Sequence, residues 1–145
     1  MLAVIQRVTH ANISVDEKTI TNIGHGILAF IGIEKTDSEK QADYLLEKIL
    51  NYRIFNDDVG KMNRSLQEVR GELLLVSQFT IVADTKSGTR PGFSTAMPPE
   101  QSKVLFEYLV NYAKNTYRKV ANGKFGANMQ VSLCNDGPVT FLLKT

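Results

Sequence analysis

The run GILAFIGI, residues 26–33, is apolar without a break, and GELLLVSQFTIVAD, residues 71–84, is the most strongly β-like segment of the chain. Runs of this length read as buried strands, and burying them demands further layers of structure. Between them the period changes. Ala42, Leu45, Leu46, Ile49 and Leu50 recur three and four apart behind the N-cap candidates Thr36, Asp37 and Ser38, which predicts an amphipathic helix over 38–51. Residues 2–8 and 11–15 alternate as strands, and TITNIGHG reads as a short strand with a turn. Arg53-Ile54-Phe55 is extended and leads into a loop, and the Gly, Ser, Thr and Pro content of 84–99 predicts a long loop of the kind that tends to carry function. After Pro98-Pro99, Val104, Leu105, Tyr108, Leu109 and Tyr112 predict a second helix, ending before turns at Gly123 and Gly126. Two strands, about 128–134 and 139–144, close the chain. The expected fold class is mixed α/β with more strand than helix, in a single domain over 1–145.

Between those last two strands stands Asn-Asp-Gly-Pro. Gly137 tolerates positive φ and Pro138 removes a backbone donor, so the pair reads first as a tight corner that ends a ladder. An X-Pro bond also admits the cis form, which turns two successive carbonyls in one direction and makes a polar device from backbone.

Composition excludes several classes. A formal charge of +2 and a pI near 8.7 permit contact with a polyanion but fall short of a dedicated nucleic-acid domain. The single cysteine, Cys134, lies in the apolar run VSLC and reads as a small buried hydrophobe, with no disulfide framework possible and a reducing, cytoplasmic setting expected. No stretch approaches the roughly 18 apolar residues of a membrane span, so no membrane partner is expected. His10, His25 and Cys134 form no set at metal-ligand spacing, and no metal or cofactor is expected. The two histidines offer no recognisable base for a serine nucleophile, and Asp57-Asp58 read as solvated turn formers. Phosphate-cradling glycine motifs are absent. What stands out is polar residues set into apolar strands: Ser77-Gln78-Phe79-Thr80 inside LLLVSQFTIV, and Asn135 through Thr140.

Those two stretches, VSQFT at 76–80 and NDGPVT at 135–140, closely resemble the two signature motifs of the D-aminoacyl-tRNA deacylases. MLAVIQRV, YRIFNDDVGKMNRSL, GTRPGF and GKFGANMQVSLCNDGPVT follow in the order and spacing of that family, so the resemblance spans nearly the whole chain. Gly92 in RPGF and the tail Leu143-Lys144-Thr145 depart from the pattern, outside both signatures.

The resemblance implies a three-layer β-β-α arrangement with two main helices, and hydrolysis of the ester joining a D-amino acid to the terminal adenosine of tRNA. Mischarged glycyl-tRNA is implied as a further substrate. It implies a homodimer with active sites at the subunit interface, in which a cis Gly137-Pro138 pair projects its carbonyls into the partner's site, receives the substrate α-ammonium and excludes L side chains. Asn135 and Val139 belong to the same substrate-binding motif. Backbone amides around Ser77, Gln78 and Phe79 would steady the ester carbonyl in the manner of an oxyanion hole, with the ribose 2′-hydroxyl helping to activate water. Thr140 is open to two readings, a nucleophile or a pocket-lining residue, and the absence of a base favours the second. Phe125 and Met129 are either adenine-stacking or core residues, and Arg7 is either an exposed charge or a brace for the Gly-Pro carbonyls. The competing classes are a non-catalytic RNA-binding module, a structural dimer and a different hydrolase acting on peptides or small esters.

Overall fold

The chain opens with a 14-residue strand, β1 (Leu2–Val15), long enough to serve three partners. It reverses at Asp16-Glu17, both in the left-handed region, and returns as β2 (Lys18–Ile23) and β3 (Gly26–Gly32). β3 pairs with Leu2–Val8 and β2 with Ala11–Val15, both antiparallel. α1 (Glu39–Asn51) follows. Of its three cap candidates Ser38 takes the role, its N–H donating to Gln41 Oε1 at 3.0 Å. Next come a small hairpin of β4 (Phe55–Asn56) and β5 (Met62–Arg64), and one helical turn, α2 (Leu66–Val69). β6 (Glu72–Ser77), a 3-10 turn at Phe79–Val82, α3 (Pro99–Thr116), β7 (Val120–Asn122) and β8 (Gln130–Lys144) complete the chain. This computed structural model describes residues 1–86 and 88–145; Ser87, within the long loop expected at 84–99, lies outside the described residues.

β3, β6 and β7 run parallel; the chain passes from β3 to β6 by way of α1 and from β6 to β7 by way of α3, so α1 and α3 cover one face of the sheet. Alternate residues of the apolar runs then serve two cores. Ile27, Ala29, Ile31, Leu73 and Leu75 pack with the helices, while Leu28, Leu74 and Val76 pack with Val8, Ala11, Ile13 and Ile23, backed by Val131 and Leu133. The order is helices, central strands, then the outer parts of β1 and β8, which is the β-β-α layering the resemblance implies. The close approach of β3 to β6 needs Gly26, where a Cβ would lie 1.9 Å from the Glu72 carbonyl oxygen.

Several expectations are corrected. Residues 2–8 and 11–15 form one strand, which runs on through two irregularities in its pairing with β8, at Arg7 and at Thr9. The β-like segment 71–84 leaves the sheet at Ser77, since its partner β3 ends there and the chain must turn over Gly32 against Ile81 and Val82. In α3 it is Leu105, Phe106, Leu109, Val110 and Ala113 that are buried, and Val104 faces solvent. Cys134 is exposed, because the side of β8 it occupies is uncovered. The corner at Asn135–Pro138 is no strand break: β8 runs from Gln130 to Lys144 alongside β1 on both sides of it.

Candidate active site

Along β1 and β8, Gln6 lies opposite Thr140 and Val8 opposite Asn135. Only Arg7 stands between them on β1, against Asp136, Gly137, Pro138 and Val139 on β8. The corner is therefore a bulge of four residues against one, within a continuing ladder. Gly137 and Pro138 are exposed at its crest and joined by a cis peptide bond.

Arg7 holds the bulge from beneath. It is 7% exposed, and its Nε donates to the Asp136 carbonyl at 3.1 Å while lying 3.1 Å from that residue's carboxylate. Its Nη1 donates to the Ile54 carbonyl at 2.7 Å and reaches Asn56 Oδ1 at 3.4 Å. A buried guanidinium with paired donors is rigid, and it ties the bulge to the segment entering β4. Gly137 has φ +128°, and a Cβ there would sit 2.7 Å from Val139 Cγ2 and 3.1 Å from Arg7 Nη2. Only glycine fits. Within the motif, Asn135 Oδ1 accepts the Val139 N–H at 3.0 Å and its Nδ2 donates to Thr140 Oγ1 at 2.8 Å.

The other signature builds a hollow. Where β6 ends, a cleft of about 720 Å³ opens, bounded by Ser77, Gln78 and Phe79 on one side and by Phe125 and Met129 on the other. The expected long loop supplies further wall through Phe93, Ala96 and Met97, and is pinned by Lys35 N–H to Thr95 O and Met97 N–H to Ile33 O, each at 3.0 Å. Phe79 and Phe93, both exposed, pair at 5.0 Å between ring centroids. Phe125 backs onto Phe106 in the core, at 5.9 Å, and Met129 packs on the outer core, so each presents one side to protein and another to the cleft.

The amides at this signature are not equivalent. The Gln78 N–H is engaged, donating to Ile31 O at 2.7 Å as β6 leaves the sheet. Those of Phe79 and Thr80 open the 3-10 turn and donate to no acceptor among the described residues, as first-turn amides do. The Gln78 side chain bends back to Thr80 Oγ1 at 2.6 Å. Sequence reasoning over 76–80 passed over the Thr80 amide, whose freedom depends on where the strand stops.

The two signatures do not meet in one chain. The cleft gathers Ser77, Gln78, Phe79, Phe125 and Met129, whereas Arg7, Asn135, Gly137, Pro138, Val139 and Thr140 lie on the β1–β8 edge outside its lining. Among the described residues no three of His, Cys, Asp and Glu gather as metal ligands, and no helix is long and apolar enough to cross a membrane. The displaced titrations lie outside the cleft lining. The Asn63 side chain and the Lys61 and Val59 amides hold the Asp57 carboxyl below its usual range, and burial followed by the Glu72 charge raises the Tyr117 phenol.

Comparison with known proteins agrees over the full length. A curated D-aminoacyl-tRNA deacylase of Xanthomonas oryzae pv. oryzae (strain MAFF 311018) is 56% identical over 145 residues, with 99% of each chain covered. One of Pseudomonas aeruginosa (strain LESB58) is 54% identical, with 100% of each covered. A solved structure titled c-Myc DNA Unwinding Element Binding Protein superposes with a TM-score of 0.96 at 41% identity, covering 100% of this chain and 99% of that one. The family model described as D-Tyr-tRNA(Tyr) deacylase matches residues 4–144, and the chain belongs to that family.

Proposed function

We propose that this deacylase cleaves the ester between a D-amino acid and the terminal ribose of tRNA at a site that two copies complete, one giving the cleft and the other the β1–β8 bulge. The observation that carries this reading is the separation of the two signatures: a hollow lined by one, and an exposed, braced projection made by the other. A homodimer with two-fold symmetry brings each projection to the partner's hollow and gives two equivalent sites.

In this reading the terminal adenine lies against Phe125 and Met129, where aromatic and thioether surfaces suit a base. The ester carbonyl sits at the free amides of Phe79 and Thr80, which strengthen their hold as the oxygen gains charge. The carbonyls of Gly137 and Pro138, exposed at the crest, receive the α-ammonium, and Arg7 keeps the bulge in place through Asp136. An L side chain would point into those carbonyls. A D side chain points away and glycine has none, so D-aminoacyl-tRNA and glycyl-tRNA are the substrates. The ribose 2′-hydroxyl assists the attacking water, and the modest positive charge contributes the salt-dependent hold on acceptor-stem phosphates. The setting is the cytoplasm, where charged tRNA is used.

The test is deacylation of matched D- and L-tyrosyl-tRNA, with glycyl-tRNA alongside. D-tyrosyl and glycyl esters should be cleaved and the L ester spared. Equal rates on the D and L forms would sink the chiral filter, and no cleavage of any would sink the activity.

A further inference from the structure

Thr140 lies directly across the ladder from Gln6, on the exposed side of the β1–β8 edge. Two amide donors reach its hydroxyl oxygen: Asn135 Nδ2 at 2.8 Å and Gln6 Nε2 at 3.3 Å. The orientation of the Asn135 amide is fixed independently, because its Oδ1 accepts the Val139 backbone N–H at 3.0 Å, which leaves only the NH2 end to face Thr140. A hydroxyl has two acceptor lone pairs and one proton. Both lone pairs are taken, and among the described residues the proton has no acceptor.

We propose that Gln6 and Asn135 are positioning residues that fill both acceptor sites of Thr140, so that its hydroxyl meets the substrate only as a hydrogen-bond donor, to an oxygen of the ester or of the terminal ribose. This deepens the deacylase reading and rests on it for the presence of Thr140 in the site. It excludes two other roles. Nucleophilic attack needs a free lone pair and a base, and among the described residues Thr140 Oγ1 is met by two amide donors and no base. Receipt of the α-ammonium needs an acceptor, so that group is left to the backbone carbonyls of the bulge. A donor aimed at an oxygen that gains charge acts in the transition state, and its loss falls on kcat more than on KM.

Asn135→Asp tests this with little change of shape. The carboxylate still accepts the Val139 N–H, but it draws the Thr140 proton toward itself. Turnover of D-tyrosyl-tRNA should fall at least tenfold in kcat, toward the roughly 10²-fold typical of a lost oxyanion donor, with KM within about twofold. Thr140→Val should fall equally, Thr140→Ser should restore activity, and Asn135→Asp added to Thr140→Val should cost nothing more. That last comparison also separates a charge effect on tRNA binding, which would persist in the Val background. Gln6→Glu carries the same comparison from the opposite strand where Asn135→Asp fails to fold. Wild-type kcat in Thr140→Val, or an equal loss from Asn135→Asp in both backgrounds, overturns the proposal. A wild type inactive on D-tyrosyl-tRNA overturns the deacylase reading itself, before any variant is compared.

Discussion

The cleft and the bulge are opposite in almost every respect. The cleft is concave and largely apolar, walled by Phe79, Phe93, Phe125 and Met129, with Ser77, Gln78, Ser102 and Asn128 as its polar lining and the unbonded amides of Phe79 and Thr80 at the end of β6. The bulge is convex and polar, raised on an edge where Gly137, Pro138 and Thr140 are exposed, beside a half-buried Asn135 and over a buried arginine. Each is built to a different tolerance. Apolar walls share their packing with two cores and absorb small changes, whereas four residues held over one guanidinium leave no slack. Under the proposed reading, the hollow of one copy and the projection of another complete each other.

The largest effect is expected where tolerance is least. In Gly137→Ala the new Cβ meets Val139 and Arg7 under a φ that side chains disfavour, so the crest must move. Misplacement by about 1 Å costs on the order of 10²-fold in rate. Circular dichroism should report an unchanged fold beside that loss of D-tyrosyl-tRNA turnover. Arg7→Ala strikes the same feature from below, and leaves the Ile54 carbonyl without its donor. A denaturant melt should show a loss of about 1–3 kcal/mol, the cost of one buried unsatisfied group, together with loss of turnover. Arg7→Lys should keep the charge and lose the fork that joins Asp136 to Ile54, with intermediate stability.

The cleft should yield by degrees. Phe125→Ala removes a stacking surface, and at about 1–3 kcal/mol per stacked base KM should rise roughly tenfold or more with kcat less affected. If KM is unchanged while stability falls, Phe125 serves the core alone. A smaller effect is expected at Asp57, which ties the β4–β5 loop through the Val59 and Lys61 amides and Asn63. Its folded pKa is depressed, so its contribution is whole above the unfolded carboxylate value of about 3.9 and is lost as pH falls through the lower folded one. Melting of wild type and Asp57→Asn should therefore differ slightly at pH 7 and converge as the pH falls below the unfolded carboxylate value. Gly92→Ser should be near neutral, since a Cβ there comes only to 3.7 Å of Asp84.

How far these two regions could be read from sequence differs as they do. The unbroken apolar runs at 26–33 and 73–76, and the three-and-four spacing from Ala42 to Leu50, are local signals, so both buried strands and α1 were legible. The identity of the two signatures was legible too. Their geometry was not, because it depends on register. Nothing local to Asn-Asp-Gly-Pro tells that β8 continues to Lys144, since that follows from pairing with β1 at both ends of the bulge. β7 is three residues long and exists through its parallel pairing with β6. The partnership of Gln6 with Thr140 joins residues far apart in the chain and has no sequence signal. α2 is different: Ser65 and Glu68 spell a capping box, the Ser65 N–H donating to Glu68 Oε2 at 2.6 Å, and that signal was present to be read.

The central claim is that cleft and bulge act across two copies, and mixing tests it most directly. Gly137→Ala disables the projection, and Ala127→Trp fills the cleft it helps to line while leaving the projection intact. Each alone should be inactive on D-tyrosyl-tRNA. After unfolding together and refolding, half of the dimers are mixed, and each mixed dimer holds one site made of an intact cleft and an intact bulge. With random pairing of a two-fold dimer, the mixture should regain about a quarter of wild-type turnover. A mixture no more active than its two components, with mixed dimers present by mass spectrometry, would contradict the account.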